Sequence, residues 1–126
     1  MVIIGHGVDI AEIARIADMM ERHGGHFLNR CFTPVEQAYC GDHKCPAMHY
    51  AARFAAKEAV LKALGTGWRG AIAWTDVEVR RDAAGKPYVE LSGEARRLAL
   101  GQGIKRWHLS LSHTDTVAIA SAIAEG

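Results

Sequence analysis

Between Ala47 and Leu64 the sequence places alanine at positions 51, 52, 55, 56, 59 and 63, and this spacing constrains the chain more than any other feature. Residues at such intervals lie along one side of an α-helix. A side with almost no side-chain bulk lets another backbone approach closely, and a sheet is the natural partner. The spacing predicts a long helix from about residue 47 to 64, with Gly65 as its C-terminal stop. Two segments have the complementary character. Val117 to Ala124 alternates bulky Val117, Ile119 and Ile123 with Ala118, Ala120, Ala122 and Ala124, so a strand there offers a small-residue face as a seat for the helix. Val2 to Ile10 places Ile3, Gly5, Gly7 and Asp9 on one strand face, and Val2, Ile4, His6, Val8 and Ile10 on the other. Its glycines leave room beside Asp9 for a backbone or a ligand.

The remaining elements follow from local signals. An amphipathic helix is expected from Ile10 to Arg22, closed by Gly24-Gly25, with Arg15, Asp18, Met19 and Arg22 outward. Thr33-Pro34-Val35-Glu36 is a helix start with Thr as cap, Pro at the first turn and Glu three residues on. Thr75–Arg81 and Lys86–Leu91 read as a hairpin, Ser92 as the cap of a helix ending near Gly101 or Gly103, and Arg106–His113 as a strand before Val117–Ala124. This order lacks regular βα alternation, so the expected fold class is α+β with a mostly antiparallel sheet packed against the alanine-rich helix. At 126 residues a single domain spanning 1–126 is expected, small for a self-contained enzyme pocket.

Composition narrows the function classes. With 49% hydrophobic and 23% charged residues and a formal charge of +1, the chain reads as a soluble globular protein rather than a bulk nucleic-acid binder. No apolar run approaches the roughly 20 residues of a membrane span. The first residues carry no basic leader pattern, and Cys31, Cys40 and Cys45 form no CxxC pair, so a reducing, cytoplasmic setting is expected. Cys40, His43, Cys45 and His49 have the residue types of a zinc site, but not the spacing of a finger or ribbon. A loop with incidental Cys and His is the preferred reading.

Chemistry concentrates in two places. The central helix carries Arg53, Lys57, Glu58 and Lys62 before Gly65-Thr66-Gly67. Glu58 and Lys62 fit an ordinary i,i+4 surface pair, and Asp9 fits a helix cap. If Asp9 lies beside Glu58, the same residues become two hard carboxylates with a lysine nearby, which suits Mg²⁺-assisted phosphoryl transfer. Leu109–Asp115 offers Ser110, Ser112 and His113 at a strand end. A Ser/His hydrolase is disfavoured because no GxSxG elbow is present. A noncatalytic nucleotide- or carrier-binding module is the other alternative.

The segments Ile4-Gly5-His6-Gly7-Val8-Asp9-Ile10, Arg53-Phe54-Ala55-Ala56-Lys57-Glu58-Ala59, Lys62-Ala63-Leu64-Gly65-Thr66-Gly67, Gly85-Lys86-Pro87 and Ser110-Leu111-Ser112-His113 occur in one order. In these the chain resembles the holo-(acyl-carrier-protein) synthases, the small bacterial members of the 4′-phosphopantetheinyl transferase superfamily. The resemblance implies that superfamily's fold. It also implies Mg²⁺-dependent transfer of the 4′-phosphopantetheine arm of coenzyme A to a serine of apo acyl carrier protein, releasing adenosine 3′,5′-bisphosphate, in fatty acid biosynthesis. By position it makes Asp9 and Glu58 the Mg²⁺ ligands, with Glu58 the general base, directly or through a metal-bound water. Lys62 is the second catalytic group. Arg53, Lys57, Lys62, Gly65, Thr66 and His113 become contacts to coenzyme A. The family's trimer, with sites between subunits, is expected here as a homotrimer. Its carrier-docking helix corresponds to the segment bearing Arg15, Met19 and Arg22, where Asp18 and Glu21 dilute the positive field. No nucleic-acid or membrane partner is implied.

Overall fold

The computed structural model describes residues 1–67 and 71–126. In chain order the elements are β1 (Ile3–Glu12), α1 (Ile13–His23), α2 (Gly25–Cys31), α3 (Pro34–Gly41) and α4 (Pro46–Leu64). A 3₁₀ turn at Trp74–Asp76 then leads to β2 (Val77–Arg81), β3 (Pro87–Leu91), α5 (Gly93–Gly101), β4 (Arg106–His113) and β5 (Val117–Glu125). The strands form a three-stranded sheet ordered β1-β5-β4 and a separate hairpin of β2 and β3, and every pairing is antiparallel. The α+β class therefore holds, with the strands divided between two sheets.

The alanine-rich helix lies against the three-stranded sheet. Ala51, Ala55, Ala56 and Ala59 of α4 are wholly buried, and Ala118, Ala120, Ala122 and Ala124 of β5 are 0–1% exposed. On β1 the approach is closer still. A Cβ built on Gly5 would come within 2.0 Å of the Ala63 carbonyl oxygen, and one on Gly7 within 1.9 Å of that of Ala59. Main chain thus rests on main chain, and any side chain at these positions would overlap it. At the far end of α4, Gly65 adopts φ 77° and its N–H donates to the carbonyls of Leu61 and Lys62, the expected left-handed stop.

Three elements differ from expectation, each for a physical reason. Thr75 and Asp76 do not open β2 but lie in the 3₁₀ turn, where the Asp76 carboxylate accepts from Ala73 N–H at 3.2 Å. Ile10, Ala11 and Glu12 do not open α1. They continue β1 by pairing with Ile119, Ala118 and Val117, because ladder hydrogen bonds outweigh a local helical periodicity. The helix α2 was hidden by the Gly24-Gly25 pair. It packs Phe27 and Cys31, four residues apart, into the core. The capping box at Thr33 is present as expected: Glu36 N–H donates to Thr33 Oγ1 at 3.2 Å, and Thr33 N–H to Glu36 Oε1 at 3.0 Å. Ser92 occupies the cap position of α5 without a side-chain capping bond.

The seam between β1 and α4 yields a stability prediction. Gly7→Ala must push the strand off the helix and should lower the melting temperature by roughly 10 °C. Gly41→Ala, where nothing lies within 4 Å of the added methyl, should leave it nearly unchanged. Differential scanning calorimetry of the two variants checks this.

Candidate active site

Asp9 lies within β1, three residues before the α1 cap position at Glu12, so the helix-cap reading does not apply. Its strand face is that of Gly5 and Gly7, directed at α4. Because the glycines hold that helix against β1, the Asp9 carboxylate comes beside Lys62. The Lys62 ammonium donates to Asp9 Oδ1 at 3.2 Å and to the Val8 carbonyl at 2.9 Å. The lysine side chain is 54% exposed and that of Asp9 19%, so the pair is worth little as a stabilising bridge. Glu58 stands one turn earlier on α4. It lines, with Asp9, Glu12, Arg15, Phe54 and Trp74, a cavity of about 400 Å³.

Three carboxylates line this cavity, Asp9 and Glu12 from β1 and Glu58 from α4, and the Lys62 ammonium lies against Asp9; hard oxygens of this kind could hold a small cation such as Mg²⁺. Gly65 and Thr66 follow Lys62 at the exposed end of the helix, where Thr66 Oγ1 donates to the Gly67 carbonyl at 3.2 Å.

Lys57 departs from expectation. Although next to Glu58 in sequence, it is rotated by about 100° around the helix and is fully buried. Its ammonium donates to Glu36 Oε1 at 2.8 Å, to the Trp74 carbonyl at 3.1 Å and to the Val77 carbonyl. Glu36 Oε2 in turn accepts from Val79 N–H at 2.9 Å. Burial pulls the Lys57 ammonium below the ordinary lysine range, opposed by the Glu36 carboxylate. Lys57 therefore has no access to a phosphate. It ties α4 to α3 and β2 instead, and loss of one partner from such a pair typically costs about 3–5 kcal/mol.

Arg53 shares the Lys57 side of α4. It is 1% exposed, and its guanidinium lies 4.1 Å from the Tyr39 ring centroid. Together with His113 at the end of β4 it lines a second, small cavity. Arg53 and Lys62 are nine residues apart and so point about 180° apart. The structure therefore brings Asp9, Glu58 and Lys62 together on one flank of α4, and Arg53 with His113 on the other. Ser112 and His113, as neighbours on β4, point to opposite faces, and Ser110 pairs with Ser121.

On α1, Arg15 borders the carboxylate cavity. Met19 lines an adjoining apolar cavity of about 410 Å³ with Phe27, Phe54 and Trp74. Arg22 is bound to Asp18 at 3.0 Å. Phe54 and Trp74 stack with centroids 4.7 Å apart and form a wall common to both cavities. No motif announces this wall: Trp74 stands in none, and nothing in the Arg53-Phe54-Ala55 segment gives Phe54 a role. In the Cys/His group, Cys40 is wholly buried on α3, and His43 Nδ1 is 2.6 Å from the Tyr39 carbonyl while its ring lies 4.0 Å from that of His49.

Residues 5–121 match the family model for the 4′-phosphopantetheinyl transferase superfamily. A holo-[acyl-carrier-protein] synthase of Koribacter versatilis is 48% identical over 123 residues, covering 98% of either chain. Among solved structures, the synthase of Neisseria meningitidis superposes with a TM-score of 0.90 at 37% identity, covering 99% of this chain and 100% of that one. That of Helicobacter pylori, in complex with coenzyme A, superposes with a TM-score of 0.84 at 31% identity, covering 95% and 99%.

Proposed function

The chain belongs to the 4′-phosphopantetheinyl transferase superfamily, and from that membership we propose that it moves the 4′-phosphopantetheine arm of coenzyme A onto a serine of apo acyl carrier protein. The reaction is Mg²⁺-dependent, releases adenosine 3′,5′-bisphosphate and serves fatty acid biosynthesis. The observation that carries the reading is the convergence of Asp9 and Glu58 on one cavity with Lys62 3.2 Å from Asp9.

In this reading the carrier serine attacks the phosphorus that bears the pantetheine arm. A new P–O bond forms as the bond to the bisphosphate oxygen breaks. Glu58, in the cavity wall, is the general base for the serine proton, directly or through a water. Lys62, already aligned by the Val8 carbonyl and Asp9, places its charge against the oxygen that leaves with the nucleotide. Asp9 and Glu58 would hold Mg²⁺, which would supply positive charge against the pyrophosphate. Gly65 and Thr66, at the open end of α4, contact the nucleotide.

The opposite placement of Lys62 and Arg53 on α4 favours a composite site. A donor gripped at one end by Arg53 and His113 of one protomer and at the other by Asp9, Glu58 and Lys62 of its neighbour satisfies both halves. A homotrimer provides such pairs. The exposed face of the three-stranded sheet, carrying Ile4, Val8, Ile10 and Ile119, supplies apolar surface for assembly. The carrier protein docks on α1, with Arg15 beside the cavity for its acidic groups and Met19 toward the apolar one. Arg22 contributes less because Asp18 shares its charge.

Three outcomes test this reading. Asp9→Ala or Glu58→Ala should abolish transfer from coenzyme A to apo carrier protein with Mg²⁺ present, measured by intact mass, while circular dichroism stays native. Full transfer in both variants rejects the metal assignment. A mixture of Asp9→Ala and Arg53→Ala protomers, co-refolded, should regain part of the activity that neither retains alone; no recovery argues against a site shared between chains. Arg15→Glu should weaken carrier binding about tenfold or more at low salt while coenzyme A affinity is kept, read by calorimetry. Unchanged carrier affinity removes α1 as the docking helix.

A further inference from the structure

His6 is exposed on the outer face of β1, opposite the glycines that meet α4. Its neighbours there are Ile4 and Val8 along the strand and Ile123 directly across on β5. Ile4 and Val8 are 36% and 42% exposed, and Ile10 and Ile119 extend the same apolar strip. Covering such a strip strands any charge that stands inside it. The one polar partner of the ring is neutral: His6 Nε2 is 3.2 Å from Ser121 Oγ.

The charged groups of this face serve other partners. β5 adds Glu125 beyond Ser121 and Ile123, and β4 adds Arg106 and His108. Glu125 Oε1 is 3.3 Å from His108 Nε2, and Lys105 and Arg106 line a cavity with that carboxylate. Helix α4, with Lys57, Glu58 and Lys62, packs on the opposite face of the sheet. None of the ion pairs among the described residues includes His6. A protonated His108 keeps its counter-charge, and a protonated His6 has none.

The strip also calls for a cover. β1 is an edge strand of ten residues without lysine or proline, and a long edge with an apolar outer face pairs readily with another chain. A second copy fits, because it brings an equally apolar face and because Arg53 and Lys62 reach one donor only from two protomers.

We infer that His6 is a pH-sensitive lock on assembly: copies associate through this sheet face while its imidazole is neutral and separate when it is protonated. The inference rests on the homotrimer reading for the identity of the covering chain. A separate protomer leaves His6 in water, free to take a proton, whereas assembly encloses the ring among apolar side chains. Protons therefore bind the separated state, so assembly is complete above the imidazole range and is lost as pH falls through it. One proton per protomer makes the response steep. Below that range the trimer dissociation constant should rise by up to about a thousandfold per pH unit.

Sedimentation equilibrium of the full chain between about pH 8 and about pH 5.5 tests the lock. At low micromolar protein the mass should fall about threefold across that span, with circular dichroism unchanged. His6→Leu should stay a trimer throughout, and His6→Lys should be a monomer even at the upper end. His108→Gln should follow the unsubstituted chain. A trimer at both ends, or equal dissociation in His6→Leu, overturns the inference and leaves the homotrimer standing. A monomer at every pH and concentration rejects the homotrimer and the lock together. Transfer to apo carrier protein gives a second readout. Activity lost in acid should return as protein concentration rises, and His6→Leu should show no such dependence. Titration of the cavity carboxylates would not respond to concentration, so an acid loss indifferent to it also rejects the lock.

Discussion

The structure depends on one close approach, the contact of β1 main chain with α4 main chain at Gly5 and Gly7. A methyl group at either position would fall within about 2 Å of a helix carbonyl oxygen. Dispersion between closely apposed backbones is favourable but short-ranged, so the seam tolerates no intermediate spacing. It fixes α4 over the sheet, and the alanines of β5 extend the seat. Asp9, two residues beyond Gly7, is then delivered to the helix face bearing Lys62. The site is an outgrowth of the packing.

A second tie governs the other side of the same helix. Lys57 and Glu36, both fully buried, join α4 to α3 and, through Val77 and Val79, to β2. Buried ion pairs are weak evidence for net stability, but their hydrogen-bond geometry strongly specifies what packs where. Here the carboxylate serves three tasks. It caps α3, neutralises the lysine and receives a strand N–H. The consequence for chemistry is a division of the helix by phase. Arg53 and Lys57 belong to one side, Lys62 to the other, and Glu58 borders the carboxylate cavity.

Much of this was legible in the sequence because it is periodic. The alanine spacing announced α4 and its close partner, the glycine parity placed Asp9 on the inner face of β1, and Thr33 to Glu36 announced its own capping box. The helix order of charges was less transparent. Lys57 and Glu58 are adjacent in the chain yet diverge in space, and the true partner of Lys57 lies 21 residues away, a separation that leaves no local signal. The start of α1 is ambiguous in sequence because Ile10 and Ala11 fit a helical period as well as a strand. Only the pairing with β5 decides between them. Trp74 stands in no motif, and its role arises from α4 having brought Phe54 to meet it.

The seam of glycines and alanines has a consequence for how such a protein can change over generations. The span between the carboxylate on β1 and those groups on α4 is set by abutting backbones, so it behaves as a fixed gauge. Core side chains elsewhere, such as Phe27, Phe32 or Ile104, can be exchanged for others of similar volume without resetting that gauge. Lineages of this fold are therefore free to drift through most of their interior while the chemistry stays in place, provided that two positions on one strand keep no side chain at all.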